Sequence, residues 1–468
     1  MKYSDYGKWT ARATVWIEEY FAKLRDTAVR AQTKPGEIAA RLPKAPPEKA
    51  ESMDTIFDDF VRIVPDGLTH WQHPRFFAYF NSNAAPASII AEQLTNAIGS
   101  QCMLWQTSPA ATEMEEVMIE WLRQALGLRE GFRGVIQDSA SSATLSAVLT
   151  MRERATQFAA NDAGLASGKH LRVYCSKEVH SSVDKAVRVA GIGLDNLIKI
   201  DTDADYSLVA NALSDAIEAD IAAGHLPAGV ILASGGTSIG AFDKLEPALD
   251  VAQLHGLYVH LDAAWAGAAM MCPEYRGMWQ GVDRCDSVVF NPHKWLGANF
   301  DCSVQFLANP DEQRRTMGLR PSYLETPQAQ DVVNFSEWTV PLGRRFRALK
   351  LWFLLRAYGL EGLRARMRNH VNWTAALCER LRASPGFHIT TEPRLALFTF
   401  QYGPNGADAD KLTAELIQRI NDDGRIYLTQ TVHEGRFLIR FTAGQFDCTE
   451  ADFDVAYDVI TEIAAALG

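Results

Sequence analysis

Three polar residues of this sequence lie at or just after the ends of short apolar runs, where a buried charge or imidazole needs a partner. Lys294 comes shortly after SVVF, Asp262 ends YVHLD, and His180 follows RVYCS. A lysine amine attacks aldehydes when burial or a neighbouring charge lowers its pKa. A carboxylate at the end of an apolar strand needs a cation or hydrogen-bond donors.

The stretch IQDSASSAT supplies a candidate anion site at Ser139, Ala140 and Ser141, between a predicted strand and a predicted helix. Small residues let the backbone approach an anion, and hydroxyls and free helix amides bind it. Taken singly, these features also fit a helix cap, a surface lysine or a structural histidine. Together they fit one cofactor, pyridoxal 5′-phosphate. The serines would take its phosphate, the imidazole its ring face, the carboxylate its pyridine nitrogen and the lysine its aldehyde carbon.

Seven short apolar runs between about residue 130 and residue 308 are typical of strands. They begin near residues 134, 172, 197, 229, 258, 287 and 302. Helix-length segments such as 143–158 and 245–255 separate most of them, which predicts an α/β fold with a mostly parallel seven-stranded sheet. Because ligands bind at the carboxyl ends of parallel strands, the polar residues above are expected to meet at one edge.

The two ends of the chain have different patterns. Residues 11–31 form an amphipathic helix that needs a partner surface, and the last hundred residues alternate strands with helices near 409–421 and 449–466. The expected parts are an N-terminal helical dimerisation arm (1–85), a large cofactor-binding α/β domain (86–360) and a small C-terminal α+β domain (361–468).

Composition restricts the class of protein. The 468 residues are 47% hydrophobic with a net charge of −11, which argues against nucleic acid and anionic membranes as partners. Seven scattered cysteines without a C-x-x-C pair fit a reducing compartment and give no zinc-ligand spacing, so no metal is expected. No segment resembles a signal peptide or a membrane span, and we expect a cytoplasmic protein.

Seven blocks of sequence resemble one family. They are HPRFFAYF, LWQTSPAATEMEEVMIEWL, GVIQDSASSATL, VHSSVDKA, HLDAAWAG, NPHKWLGANFDCS and PLGRRFRALKLWF. With them the chain resembles the group II pyridoxal-phosphate decarboxylases, specifically the aromatic L-amino acid decarboxylase branch. The resemblance implies the fold-type I architecture of aminotransferases and a homodimer in which the N-terminal arm packs on the other subunit.

The resemblance also implies roles for individual residues. Lys294 matches the lysine that binds the cofactor covalently, Asp262 the partner of its pyridine nitrogen, and His180 the histidine stacked on its ring. The remaining cofactor contacts are implied at Ser139, Ala140, Ser141, Thr237, Ala264 and Asn291. His293 matches a histidine of the substrate pocket, and Tyr323 a tyrosine taken to reprotonate the substrate carbon.

The expected substrate is an aromatic L-amino acid of the Trp, Phe, Tyr or DOPA class, converted to the arylalkylamine and CO2. The resemblance implies substrate contacts at Trp71, Tyr79, Phe80, Met103 and Gly343. Three departures from the family pattern affect this region and the phosphate cup, namely Asn81, Met103 and Asp138.

Three alternatives remain on sequence grounds. An aromatic aldehyde synthase shares the scaffold, but its members usually replace the loop tyrosine or the stacking histidine, and Tyr323 and His180 are both present. A nicotinamide-dependent oxidoreductase is suggested only by AGIGLDN, which lacks the third glycine and a leading strand. A non-catalytic protein on the same scaffold would not be expected to keep every chemical position.

Overall fold

A seven-stranded sheet forms the centre of the computed structural model, which describes residues 1–166, 168–319, 332–404 and 408–467. Its strands are β1 (Arg133–Gln137), β2 (Leu171–Ser176), β3 (Leu197–Ile200), β4 (Leu226–Ala233), β5 (Tyr258–Asp262), β6 (Ser287–Phe290) and β7 (Ser303–Leu307). They lie in the order β1-β7-β6-β5-β4-β2-β3. Only β7 runs antiparallel to its neighbours, so the predicted mostly parallel seven-stranded sheet is confirmed.

Most residues of the sheet strands are buried because helices cover the sheet. Every residue of β6 and β7 is buried, as expected for strands that face a core on both sides. The helix that follows β1 packs across β4, β5, β6 and β7. This packing fixes the carboxyl ends of the parallel strands against the start of that helix.

Fourteen α-helices occur in the described ranges. They are α1 (Tyr6–Lys23), α2 (Glu37–Arg41), α3 (Met53–Ile63), α4 (Pro86–Ile98), α5 (Pro109–Leu126), α6 (Ala140–Ala155), α7 (Ala160–Ala163), α8 (Ser182–Val189), α9 (Ala210–Ala222), α10 (Leu245–Leu254), α11 (Pro310–Met317), α12 (Ala348–Arg382), α13 (Ala409–Asp423) and α14 (Glu450–Ala465). None of them combines the length and the apolar character that a membrane span requires.

A second sheet has four strands in the order β10-β11-β9-β8. They are β8 (Phe387–Arg394), β9 (Leu397–Tyr402), β10 (Thr429–His433) and β11 (Arg436–Thr442). Strand β8 has only two buried residues, Phe387 and Thr391, whereas β9 is buried throughout. The strands and helices expected near the C-terminus are therefore present.

The chain divides into two compact units. The first contains Met1–Asn81, Trp373–Pro393 and Phe398–Gly468, and the second contains Ser82–Asn372 and Arg394–Leu397. The N-terminal segment thus belongs to the same unit as most of the four-stranded sheet, and the seven-stranded sheet forms the second unit. The three-part division expected from the sequence stays a prediction.

Candidate active site

Asp262 lies at the carboxyl end of β5, in the middle of the seven-stranded sheet. It pairs with Ala233 of β4 and with Val289 of β6, so the ends of three parallel strands meet at one edge. The backbone N–H of Ala264 donates to its Oδ1 at 3.0 Å. Among the described residues no donor reaches Oδ2, so one carboxylate oxygen remains available for a ligand.

Lys294 lies in the loop between β6 and β7, which is residues 291–302. Asn291 starts this loop: its N–H donates to the Ala264 carbonyl at 2.8 Å, and its Oδ1 accepts a hydrogen bond from Ser303 Oγ. The N–H of Lys294 then donates to the Asn291 carbonyl at 2.9 Å. The half-buried lysine is therefore anchored to the end of β5, where Asp262 lies.

His180 follows β2 at the same edge of the sheet. Its Nδ1 accepts from the N–H of Ser182 at 3.1 Å, which leaves the ring proton on Nε2. The pKa of His180 is lowered because protein atoms exclude water from the ring, while Asp262 opposes and Lys294 reinforces the shift. Those two influences indicate that Asp262 and Lys294 both lie near the imidazole.

His293 is buried beside the lysine and is neutral. The N–H of Cys302 donates to its Nδ1 at 2.9 Å, so Nε2 carries the proton. Burial lowers the pKa of His293 to about 3, and the positive charge of Lys294 adds to the effect. The ring can therefore donate a hydrogen bond from Nε2 without adding a positive charge to the site.

The residues expected to bind an anion lie at the start of α6, and their role stays a prediction. Ser139 caps the helix, because its Oγ accepts from the N–H of Ser142 at 3.2 Å, and Ser141 is exposed beside it. The first N–H groups of a helix lack intrahelical partners and attract anions. Asp138 accepts from Ser139 Oγ at 3.0 Å and acts electrostatically on Arg347. The positive charge of Arg347 therefore offsets part of the negative charge of Asp138, the residue that departs from the family pattern at this position.

The turn after β4 brings backbone close to the same edge. Gly235 has a φ of +80°, and a Cβ there would lie 2.7 Å from the Cβ of Ala266, so only glycine fits. Thr237 follows in this turn. On the neighbouring strand end, Ala264 packs with Ala140 and Val289, which joins the anion site to the end of β5.

These groups fit pyridoxal 5′-phosphate in chemical type. The edge presents an amine, a carboxylate with one free oxygen, a flat neutral imidazole and a helix N-terminus. Ser234 adds a buried hydroxyl that has no hydrogen-bond partner in the described part of the chain. A buried polar atom without a partner requires an explanation, and a bound polar ligand is one.

Three of the residues implied for substrate binding lie in the first unit. Trp71 and Tyr79 stack with ring centroids 5.8 Å apart and are 39% and 47% exposed. Phe80 is buried, with the guanidinium of Arg440 5.4 Å from its ring centre. Asn81 follows at 1% exposure, and neither atom of its amide has a partner among the described residues.

The other two residues implied for substrate binding are described, whereas the tyrosine implied for catalysis is not. Met103 and Gly343 lie in the second unit, Met103 half-buried and Gly343 exposed. A Cβ at Gly343 would lie 3.2 Å from Nε2 of Gln101, so a larger residue there needs that side chain to move. Tyr323 lies outside the described residues, and its role stays a prediction.

Two residues that support the site were not singled out in the sequence. Asn83 hydrogen bonds to the carbonyl of Lys294, and Lys350 is fully buried beneath the same loop. Asn83 carries no recognisable signal, because it lies in an irregular stretch before α4. Lys350 does carry a signal in the sequence, because a lysine inside the apolar run ALKLWFLL must find a partner in the core.

One cluster of metal-ligand type lies elsewhere. Cys378, Glu379 and Glu392 have potential ligand atoms within 4.8 Å of one another. The guanidinium of Arg382 donates to both carboxylates, at 3.2 Å and 2.6 Å. The arginine already supplies the positive charge, so this cluster is explained as an ion-pair network, and the absence of a metal stays a prediction.

Comparison with known proteins decides the family. The model described as "Pyridoxal-dependent decarboxylase conserved domain" matches residues 35–403. The chain belongs to this family. The expected decarboxylase of the pyridoxal-phosphate type, a carboxy-lyase, is thereby confirmed.

Individual relatives cover almost the whole chain. The aromatic-L-amino-acid decarboxylase of Rattus norvegicus is 35% identical over 97% of this chain and 96% of its own length. The phenylacetaldehyde synthase of Arabidopsis thaliana is 34% identical over 97% of this chain and 94% of its own. The crystal structure of Oryza sativa TDC with PLP and tryptamine superposes with a TM-score of 0.96 at 32% identity, covering 100% of this chain and 99% of that one.

Proposed function

We propose that this decarboxylase removes the α-carboxyl group of an aromatic L-amino acid and releases the arylalkylamine and CO2. The observation that carries the proposal is the meeting of Lys294, Asp262 and His180 at one sheet edge in a chain of this family. Relatives named for aromatic amino acids match over nearly the full length, which supports the aromatic substrate class.

Each residue at this edge of the seven-stranded sheet is proposed to hold a different part of the cofactor. Lys294 would bind it covalently, Asp262 would keep a proton on its pyridine nitrogen, and His180 would cover one ring face. The N-terminus of α6 would hold the phosphate, with Asn291 close by. When bound, pyridoxal 5′-phosphate supplies an electron sink for the breaking bond between Cα and the carboxylate.

The protonation state of His293 suits decarboxylation. A cation beside the substrate carboxylate would stabilise the ground state, in which the charge is localised, and so would slow its loss. A neutral imidazole with its proton on Nε2 can orient the substrate by one hydrogen bond without that penalty. Tyr323 is proposed as the acid that protonates Cα after CO2 has left.

The aromatic specificity is proposed to come from Trp71, Tyr79 and Phe80, with further contributions from Met103 and Gly343. Flat apolar rings favour other flat apolar rings through area burial and stacking. Thr237 and Ala264 are proposed as contacts at the sides of the cofactor.

We also propose a homodimer in a reducing, cytoplasmic environment. Ile90, Leu94 and Ile98 form an exposed apolar stripe on α4, at the spacing of one helix face. Exposed apolar patches mark protein interfaces. All seven cysteines are free and buried, which suits a compartment that keeps thiols reduced. Light scattering of the purified protein at micromolar concentration tests the dimer.

An aromatic aldehyde synthase is the second candidate. The Arabidopsis phenylacetaldehyde synthase is about as similar as the decarboxylases, so overall identity does not separate the two reactions. His180 and Tyr323 are both kept in this sequence, which favours amine formation.

One assay tests both candidates. Purified protein with added pyridoxal 5′-phosphate is incubated with Trp, 5-hydroxytryptophan, Phe, Tyr and DOPA, and with His and Glu as controls. We expect amine and CO2 in equal amounts from at least one aromatic substrate. Aldehyde, ammonia and peroxide in place of the amine would establish the synthase, and turnover of Glu alone would reject the aromatic class.

A further inference from the structure

The loop that carries Lys294 is held through its backbone carbonyls by residues from outside the loop. Side chains or N–H groups of the segment 83–92 and of α12 reach most of them. The carbonyls of His293, Lys294, Trp295, Leu296, Gly297, Asn299 and Asp301 each accept such a hydrogen bond. A buried loop must satisfy its polar backbone groups, and this loop does so with donors of fixed position.

Asn83 makes two of these contacts, and they lie on either side of one residue. Its backbone N–H donates to the His293 carbonyl at 2.9 Å, and its side-chain Nδ2 donates to the Lys294 carbonyl at 2.6 Å. Asn83 itself is fully buried. The peptide groups before and after Lys294 are therefore both fixed by the same residue, and with them the direction in which the lysine side chain leaves the backbone.

We infer that Asn83 is a positioning residue for Lys294: its side-chain amide orients the lysine so that the amine meets the aldehyde of the cofactor. The inference rests on the proposed role of Lys294. Groups that react covalently must be held within fractions of an ångström, and the residues that hold them act without touching the reacting atoms. Asn83 is inferred to act through the backbone carbonyl of Lys294, to which its side-chain amide donates.

The same segment offers a matched control. Ser88 is also fully buried, and its Oγ accepts from the N–H of Asn299 at 2.6 Å, in the same loop but five residues beyond Lys294. Its loss removes one buried hydrogen bond from the loop, as the loss of the Asn83 side chain does. If Asn83 were only structural, alanine at either position would have the same consequences.

The experiment compares Asn83→Ala, Asn83→Asp and Ser88→Ala with the wild type. Asn83→Asp keeps the shape but has no N–H to donate, and both Asn83 variants keep the backbone contact to His293. Apoprotein is titrated with pyridoxal 5′-phosphate, and the dissociation constant is read from the visible absorbance of the bound cofactor. The thermal midpoint of each apoprotein is measured in parallel.

We expect both Asn83 variants to raise the dissociation constant by about tenfold or more, because the misdirected lysine must be reoriented before it can bind the cofactor. Ser88→Ala should stay within about twofold of the wild type, although its apoprotein loses thermal stability to a similar extent. Equal dissociation constants for Asn83→Ala and wild type, or an equal rise in Ser88→Ala, would overturn the inference.

A separate measurement keeps this outcome distinct from the proposed function. Borohydride reduction of the wild-type holoenzyme should leave the cofactor mass on the peptide that contains Lys294. If that adduct is absent, the proposed role of Lys294 fails. If it is present but Asn83→Ala retains the cofactor as well as the wild type, only the positioning role fails.

Discussion

The Lys294 loop, residues 291–302, and the aromatic segment, residues 71–81, are built in opposite ways. In the loop almost every carbonyl has a donor, and most side chains are buried, with Phe300 exposed. In the aromatic segment two large rings are well exposed, and one buried amide has no partner in the described ranges. The polar groups of the segment proposed for chemistry are thus almost all paired, whereas the segment proposed for side-chain recognition exposes two rings and leaves one amide unpaired.

This difference indicates how one family can act on several side chains. The bond-breaking step needs the same geometry for every substrate, because the carboxylate and amine of amino acids do not vary. Recognition of the side chain needs only a surface of suitable shape. Substitutions in the loop should therefore affect every substrate, whereas those in the aromatic segment should change substrate preference.

Lys294→Ala should have the largest effect. We expect no detectable amine from any substrate and no visible absorbance from bound cofactor, because the covalent link is lost. Lys244→Ala, which removes an exposed lysine paired with Asp203, is the control and should keep full activity. Turnover by Lys294→Ala would contradict the assignment of the loop as the chemical region.

Asp262→Ala should come next. The carboxylate is expected to keep the cofactor's ring nitrogen protonated, so kcat should fall by about a hundredfold or more for every substrate, the scale of a preorganised charge. Asp215→Asn, an exposed carboxylate on α9, is the control. A fall in kcat confined to one substrate would mean that Asp262 recognises the substrate side chain instead of acting in the chemical step.

One histidine from each region gives a pH test. Burial lowers the pKa of both His293 and His73 to about 3, and each accepts a backbone N–H at Nδ1. The unfolded chain binds a proton on each near pH 6.5 and the folded chain does not, so stability is lost as pH falls from about 6.5 towards 3.

Glutamine at either position removes that titration. Between pH 6 and 4.5, the slope of the free energy of unfolding against pH should be smaller in each variant by about 1.4 kcal/mol per pH unit. Denaturant unfolding of the apoproteins at several pH values measures this. Only His293→Gln should also lower kcat. An equal loss of kcat in His73→Gln would mean that the Lys294 loop and the aromatic segment do not differ in their effect on the chemical step.

Trp71→Leu should have a smaller and selective effect. Loss of an exposed ring that contributes equally to ground-state and transition-state binding raises KM and leaves kcat nearly unchanged. We expect KM to rise about three- to tenfold for the preferred substrate, with the ratio between Trp and Tyr altered. Steady-state kinetics with both amino acids measure these KM values. An unchanged ratio of KM between Trp and Tyr would mean that Trp71 does not recognise the substrate side chain.

Asn81→Leu should have the smallest effect, and it should stabilise the protein. Removing a buried amide without partners is expected to raise the free energy of unfolding by about 1 kcal/mol. Asn421 is the control, because its amide makes two hydrogen bonds to the backbone of Leu428. Asn421→Leu should lose stability, and a similar loss in Asn81→Leu would mean that Asn81 is satisfied after all.

The sequence predicts much of this architecture for physical reasons. A strand buried on both faces is mostly apolar, so the sheet strands can be recognised as short apolar runs such as SVVF. Polar residues at the ends of such runs are visible for the same reason. Lys294, Asp262 and His180 can therefore be selected as candidates from the sequence alone, and their roles stay predictions.

What the sequence does not show is set by contacts between distant positions. Asn83 is hydrogen-bonded to Lys294 although the two residues are 211 positions apart in the sequence, and no local pattern marks that pair. The tautomer of His293 is set by a backbone N–H supplied by Cys302, which only the turn of the loop brings into place. The unpartnered amide of Asn81 is likewise invisible until burial is known.

The reversal of β7 has a consequence for motion. Because β6 and β7 are antiparallel neighbours, residues 291–302 connect two adjacent strands, with Phe290 paired to Val304 at their base. The base of this connection cannot open without separating β6 from β7. The amide protons of these two paired strands should therefore exchange with deuterium slowly, whether or not vitamin B6 is bound.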